Sequence, residues 1–198
     1  MFVVIFEVCP KPELWDAYLA HAAALRPELL RIPGFIDNTR YSSRSRPGWL
    51  LSLSSWEDER ALVRWRAHPA HHAVQADGRA RVFADYRLRV GEVLTDSAPP
   101  AGHAPAPFRR DPTEAGGPRG ALLVELPAAA AMPELGPAVT RVRFDGILDP
   151  AEGLVLGAYA EPADAPDPPV GRRRRVLILR DYGMAQRAEA PQFHPGPG

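Results

Sequence analysis

Residues 50–65 read LLSLSSWEDERALVRW, and this stretch decides the fold because it joins a strand directly to a helix. Apolar and polar residues alternate from 49 to 56, a pattern typical of a strand with one buried face. The acidic run Glu57-Asp58-Glu59 favours a helix N-terminus, and Ser55 is the predicted cap. We therefore expect a strand that ends near Trp56 and a helix that continues through Trp65.

The segments on either side of residues 50–65 predict further strands and helices. Pro27 is expected to kink the first helix near its end, and Pro69 to interrupt the second. The resulting order, β-α-β-β-α-β, is the ferredoxin-like plan of an α+β fold. Strands are expected over 2–8, 35–41, 49–56 and 83–93, and helices over 13–30 and from 59 to about 79.

The amino-acid composition of the chain changes near residue 95. Seventeen of the 23 prolines follow that position, and residues 96–120 have the composition of an extended linker. Apolar runs near 122–127, 144–159 and 176–180 echo the strands of the first half. Prolines in 128–137 and 161–171 disfavour the matching helices. The sequence thus predicts a ferredoxin-like domain over 1–95 and a β-rich, helix-poor half-repeat over 121–198.

Composition excludes several classes of function. The formal net charge is zero, which disfavours a nucleic-acid partner. No apolar run approaches the roughly 18 to 20 residues that cross a bilayer, so we expect a soluble, cytoplasmic protein with no membrane partner. The single cysteine, Cys9, excludes an internal disulfide. We expect the basic run at 172–175 to be a solvated strand start rather than a phosphate site.

Four segments of the first half resemble one known family. They are FVVIFEV (2–8), IPGFIDNTRY (32–41), LLSLSSWEDERALVRW (50–65) and DYRLRVGEV (85–93). Together they resemble the antibiotic biosynthesis monooxygenase superfamily of dimeric α+β barrels. The resemblance implies two four-stranded sheets that pack face to face across a dimer interface, with a pocket between each sheet and its helices. A sheet with helices on one face needs a partner for the other face. A second chain or the C-terminal half could supply it, and we expect a homodimer through the first domain.

Candidate site residues concentrate in the segment WRAHPAHHAVQ, residues 65–75. Imidazole can act as a general base near neutral pH. If Pro69 leaves the helical register intact, one face carries Trp65, His68, His72 and Gln75. The resemblance implies a monooxygenase that acts with O2, without an organic cofactor or a metal, on a small aromatic or polyketide-like molecule. The predicted catalytic residues are His68, His72, Trp65, Asn38 and Arg40, and the predicted lining residues are Trp56, Tyr18, Tyr86, His71 and Gln75.

Two other functions stay open at this point. Haem-degrading members of the superfamily place a histidine where this chain has Gln75, and an asparagine where it has Glu7. Haem bound through His71 or His72 is therefore the first alternative. The second is a non-enzymatic small-molecule binding or assembly module whose working surface is the proline-rich C-terminal half.

Overall fold

The computed structural model describes residues 1–107 and 116–191. Its helices are α1 (Trp15–Leu29), α2 (Glu59–Ala67) and α3 (Pro69–Asp77), with one-turn helices at Pro12–Leu14 and Pro162–Asp164 and a π turn at Gly78–Val82. Its strands are β1 (Phe2–Pro10), β2 (Phe35–Ser43), β3 (Leu50–Trp56), β4 (Phe83–Asp96), β5 (Gly120–Pro127), β6 (Thr140–Gly146), β7 (Glu152–Tyr159) and β8 (Arg172–Gly183). None of the helices in these ranges is long and apolar enough to span a membrane.

The eight strands form one closed barrel in the order β1-β3-β2-β6-β7-β5-β8-β4. The first half contributes β4-β1-β3-β2, the order of the predicted ferredoxin-like α+β fold. The second half contributes β8-β5-β7-β6, which is the same order with every strand number raised by four. Antiparallel pairing of β4 with β8 and of β2 with β6 joins the two sheets.

Closure within one chain corrects the expected barrel across a dimer interface. Strands β5–β8 occupy the place that the sequence analysis gave to a second chain, because β4 and β8 are long enough to pair over most of their length. Strand β8 alone has 12 residues. The homodimer itself stays a prediction, and a second chain would have to bind outside the barrel.

Side chains alternate between the inside and the outside of the barrel. Both halves fill the inside, where Ile5 and Leu53 pack with Leu123 and Ile178. Outside, the two halves differ. Helices α1 and α2 cover the first sheet, whereas the second packs against Leu135 and Ala165, which lie in segments without α-helix.

The helix cap is Asp58 rather than the predicted Ser55. The Asp58 Oδ1 atom accepts a hydrogen bond from the Ala61 backbone N–H at 2.7 Å. Ser55 still belongs to β3, where strand alternation turns it inward, and its hydroxyl accepts a hydrogen bond from Arg174. The strand therefore extends past the residue that composition alone selects as a cap.

Two equivalent ion-pair clusters lie between the halves. In the first, Glu7 binds Arg89 and Arg46, while Arg87 binds Asp181 of β8. In the second, Glu125 binds Arg174 and Arg172, while Arg172 binds Asp96 of β4. The register makes them equivalent: Glu7 lies opposite Arg87, as Glu125 lies opposite Arg172.

These clusters correct the expectation for residues 172–175. Arg174 is only 1% exposed and is paired with Glu125, so it is not part of a solvated strand start. Arg172 is also largely covered, with its side chain 19% exposed. Arg172 and Arg174 of the basic run serve the barrel interior, because alternate residues of β8 face inward.

We predict that Glu7→Gln lowers the free energy of unfolding by about 3 to 5 kcal/mol, because it leaves a buried arginine without its counter-charge. Urea denaturation measures this change. The control is Arg31→Gln, which breaks the exposed Arg31–Glu28 pair and should change stability by less than about 1 kcal/mol. Equal effects of the two substitutions would contradict the structural role given to Glu7.

Candidate functional site

The outer face of the first sheet forms the floor of the site. Cross-strand pairing places Arg40, Ser52, Phe6 and Leu88 in one row across β2, β3, β1 and β4. The neighbouring row consists of Asn38, Ser54, Val4 and Val90. Residues in such rows lie on one face of a sheet. The floor is therefore polar on β2 and β3 and apolar on β1 and β4.

Helices α1 and α2 supply the side chains above this floor. Tyr18 of α1 is 7% exposed and belongs to the cluster that includes Phe6 and Leu88. Trp65 of α2 packs in the cluster that includes Val4 and Val90. Tyr18 and Trp65, both predicted site residues, thus face the apolar part of the floor, one from α1 and the other from α2.

Arg40 and Tyr18 meet at the polar end of the floor. Burial raises the pKa of Tyr18, and a hydrogen bond from Arg40 opposes that rise. The Arg40 Nε atom is buried and has no hydrogen-bond partner in the described parts of the chain. A buried guanidinium N–H without a partner is costly, so Arg40 is a candidate for binding a polar ligand group.

Asn38 and Trp56 extend the polar strip. The Asn38 Nδ2 atom donates to Ser52 Oγ at 2.9 Å and to the Leu53 carbonyl at 3.0 Å, while its Oδ1 atom is buried without a partner. The Trp56 Nε1 atom donates to Ser54 Oγ at 3.0 Å, and its ring packs edge-to-face on Phe35. Trp56 is 1% exposed, so it supports the floor from within the core.

The second helix breaks at His68, which corrects the predicted histidine face. His68 has an extended backbone (φ −62°, ψ 127°) because it precedes Pro69. The break rotates α3 relative to α2. As a result His68 and His71 stack on Trp65, with ring centroids 5.6 and 4.3 Å away. The expected alignment of His72 and Gln75 with Trp65 required an unbroken register.

His71 is held in one tautomer by the helix end. Its Nδ1 atom lies 3.0 Å from the Trp65 carbonyl oxygen, an acceptor, so Nδ1 carries the proton. Burial lowers the pKa of His71 to about 4, and the neighbouring His68 and His72 lower it further. His71 is therefore a neutral side chain that fixes the position of Trp65, and only Nε2 could bind haem iron. The haem alternative stays a prediction.

His68 has different surroundings. Its Nδ1 atom is buried without a partner in the described residues, while its Nε2 atom lies 3.9 Å from a carboxylate oxygen of Glu28. Three predicted residues, Asn38, Arg40 and His68, thus each have an unsatisfied buried polar atom. Buried polar atoms without a partner call for an explanation, and a bound ligand is one.

The other predicted residues lie at the margins. Tyr86 packs on Phe6 and Phe83, and its hydroxyl binds Arg187. Gln75 is half-buried on α3, without a side-chain hydrogen bond to any described residue, and His72 is half-buried beside His71. No group of three or more possible metal ligands occurs within 1–107 and 116–191.

Sequence reasoning missed Ser52, Phe6 and Arg187. Ser52 and Phe6 share the Arg40 row, so counting the strand register from Arg40 would have found both. Arg187 lies beyond the last strand, and no sequence signal connects it with Tyr86.

The comparisons identify the class of protein. A family model described as antibiotic biosynthesis monooxygenase matches residues 1–77. The chain belongs to this family, which confirms the resemblance stated above and supports a monooxygenase-like function. It is 40% identical to "Jasmonate monooxygenase ABM" of Pyricularia oryzae, over 98% of this chain and 99% of that protein.

Solved structures also resemble the chain. A conserved protein from Methanosarcina mazei Go1 is 20% identical, with a TM-score of 0.42 over 45% of this chain and 88% of that one. A protein described as an antibiotic biosynthesis monooxygenase is 21% identical, with a TM-score of 0.41 over 46% of this chain and 95% of that one.

The low pKa of His71 predicts a pH-dependent stability. The folded pKa of about 4 lies below the ordinary value of 6.5, so the unfolded chain binds more protons between these values. Stability contributed by neutral His71 is complete above pH 6.5 and falls as the pH approaches 4. The free energy of unfolding should change by up to about 1.4 kcal/mol per pH unit in this window.

Urea denaturation of His71→Gln measured across the same pH window should show that slope reduced. His21→Gln, a half-buried histidine variant on α1, should retain it because His71 is intact. An unchanged slope in His71→Gln would contradict the neutral, buried state of this side chain.

Proposed function

We propose that the outer face of the first sheet, together with the side chains of helices α1 and α2 above it, is the active site of a monooxygenase for small carboxylic acids with an apolar body. The proposal rests on one observation, which is the environment of Arg40. This residue is partly buried, its Nε atom has no partner, and it forms no ion pair with any described carboxylate. A substrate carboxylate would supply the missing charge and the missing hydrogen-bond acceptor.

The rest of the floor supports the same kind of substrate. Ser52 and Asn38 surround the polar end, whereas Phe6 and Leu88 continue the Arg40 row as apolar side chains. An amphipathic molecule with its carboxylate at Arg40 would therefore place its body over β1 and β4, beneath Trp65. Apolar burial would provide most of its affinity and the arginine its orientation.

The Pyricularia relative is named for jasmonate, a cyclopentanone that carries one carboxylate and a short apolar chain. That chemistry matches the division of the floor, and we therefore choose jasmonate as the first probe. Aromatic carboxylic acids of similar size are the second probe, because the sequence analysis predicted an aromatic or polyketide-like substrate.

The proposed reaction needs no organic cofactor when the substrate supplies the electrons. A CH2 group made acidic by a neighbouring carbonyl loses a proton to a base, and the carbanion reduces O2. One oxygen atom becomes the new carbonyl and the other leaves as water, so CH2 and O2 give C=O and H2O. His68 is the proposed base, since its Nδ1 atom is buried without a partner. His71 is a positioning residue that holds Trp65.

We predict that Arg40→Gln raises the KM for jasmonate at least about tenfold, because a charge-assisted hydrogen bond to the carboxylate is lost. Arg40→Lys should recover part of the loss, since it restores the charge without the planar geometry. Steady-state kinetics and tryptophan-fluorescence titration measure these effects.

The matched control is Arg60→Gln on the exposed side of α2, which should behave as the parent protein. The methyl ester of jasmonate provides a second control, because it removes the charge from the ligand instead of the protein. If the ester binds as tightly as the acid, the carboxylate role of Arg40 is wrong.

A second experiment tests the source of electrons. Under 18O2, a cofactor-free reaction should place one labelled atom in the product and proceed without a nicotinamide or flavin reductant. Hydroxylation of a single C–H bond instead requires two external electrons per O2. If product appears only with added reductant, the cofactor-free mechanism is wrong but the assignment as a monooxygenase stands. If neither probe gives an oxygenated product, the proposed substrate class is wrong.

A further inference from the structure

A cavity of about 200 Å³ lies on the outside of the second half, away from the proposed active site. Strand β8 provides Arg173 and Arg175, the end of β4 provides Thr95, and β5 provides Leu122. The pairing register explains this grouping, since Arg175 lies opposite Thr95 on one side and Leu122 on the other. The segment before β8 closes the cavity with Pro166.

The charges around this cavity do not cancel locally. The Asp96 side chain is fully covered and already accepts hydrogen bonds from Arg172 and from the Ala98 backbone N–H. Asp167 binds Arg173 at 2.7 Å.

Arg175 remains without a described carboxylate partner. It donates one hydrogen bond to the Ala165 carbonyl at 2.7 Å, and its Nε atom is buried without a partner.

Asp96 and Asp167 are paired with arginines, and the uncharged polar side chains that line the cavity are hydroxyls. Ser97 Oγ, which also lines the cavity, accepts a hydrogen bond from the Arg173 backbone N–H at 3.0 Å, so its hydroxyl proton is available to a ligand. Thr95 adds a second hydroxyl. A surplus guanidinium charge beside two hydroxyl donors is suited to an oxyanion. The volume is below the roughly 300 Å³ at which cavities for larger organic ligands begin.

We infer that this cavity binds a small oxyanion, with Arg175 as the charged ligand and Ser97 and Thr95 as hydroxyl donors. The anion would join β4, β8 and the segment before β8, which all contribute to the cavity. Bound there, it would stabilise the half of the barrel that has no α-helical cover. The site is independent of the proposed oxygenase reaction. Inorganic phosphate, sulfate and acetate distinguish a tetrahedral anion from a carboxylate.

Thermal unfolding of the full chain with increasing inorganic phosphate tests this inference. The Tm should rise with phosphate by ligand linkage, beyond the effect of sodium chloride at equal ionic strength. Arg175→Gln should weaken phosphate binding about tenfold or more and remove the rise. Arg141→Gln, on the exposed start of β6, is the matched control and should keep it.

Further variants keep the test decisive if Arg175→Gln does not fold. Ser97→Ala removes one donor and should weaken phosphate binding, while Arg175→Lys should retain part of it. The inference is overturned if sodium chloride reproduces the phosphate effect, or if folded Arg175→Gln responds as the parent does. A response to acetate but not phosphate would assign the site to a carboxylate.

Discussion

The inner face of the first sheet is the constraint on which the rest of the structure depends. This face carries Ile5 and Leu53, which are fully or almost fully buried. Helices α1 and α2 lie on the other face and cannot cover these residues. Leaving this inner face in water would cost about 25 cal/mol for each Å² of exposed apolar surface. The chain therefore needs a second sheet, and strands β5–β8 supply it through Leu123 and Ile178.

This requirement explains which parts of the half-repeat persist. The second half keeps four strands in the order of the first, because those strands close the barrel. It also contains a Glu125–Arg174 ion pair that matches the Glu7–Arg89 pair of the first half. Its outer face needs only modest cover, and short segments with Leu135 and Ala165 provide it. A second half without α-helices in its described residues therefore still closes the barrel.

The sequence predicted the elements well and the site only in part. Period-two alternation located the strands, because it reflects burial directly, and Pro69 correctly marked a helix break. Closure by the chain's own second half could not be chosen from sequence, since a second copy of the first sheet satisfies the same apolar face. The histidine geometry also escaped prediction, because one extended residue, His68, decides whether His71 or His72 stacks on Trp65.

The buried arginines of this fold differ in whether a carboxylate pairs with them. Arg89 and Arg174 each have an unpaired Nε atom, yet each is neutralised by a glutamate inside the barrel. Arg143 also has an unpaired Nε atom, and its Nη2 atom donates to the Pro127 and Ala128 carbonyls. Arg40 and Arg175 differ from Arg89 and Arg174, because each is partly buried on an outer face and neither has a carboxylate partner among the described residues. Burying a guanidinium without a counter-charge is unfavourable, and this cost is the physical argument for the two proposed anion sites.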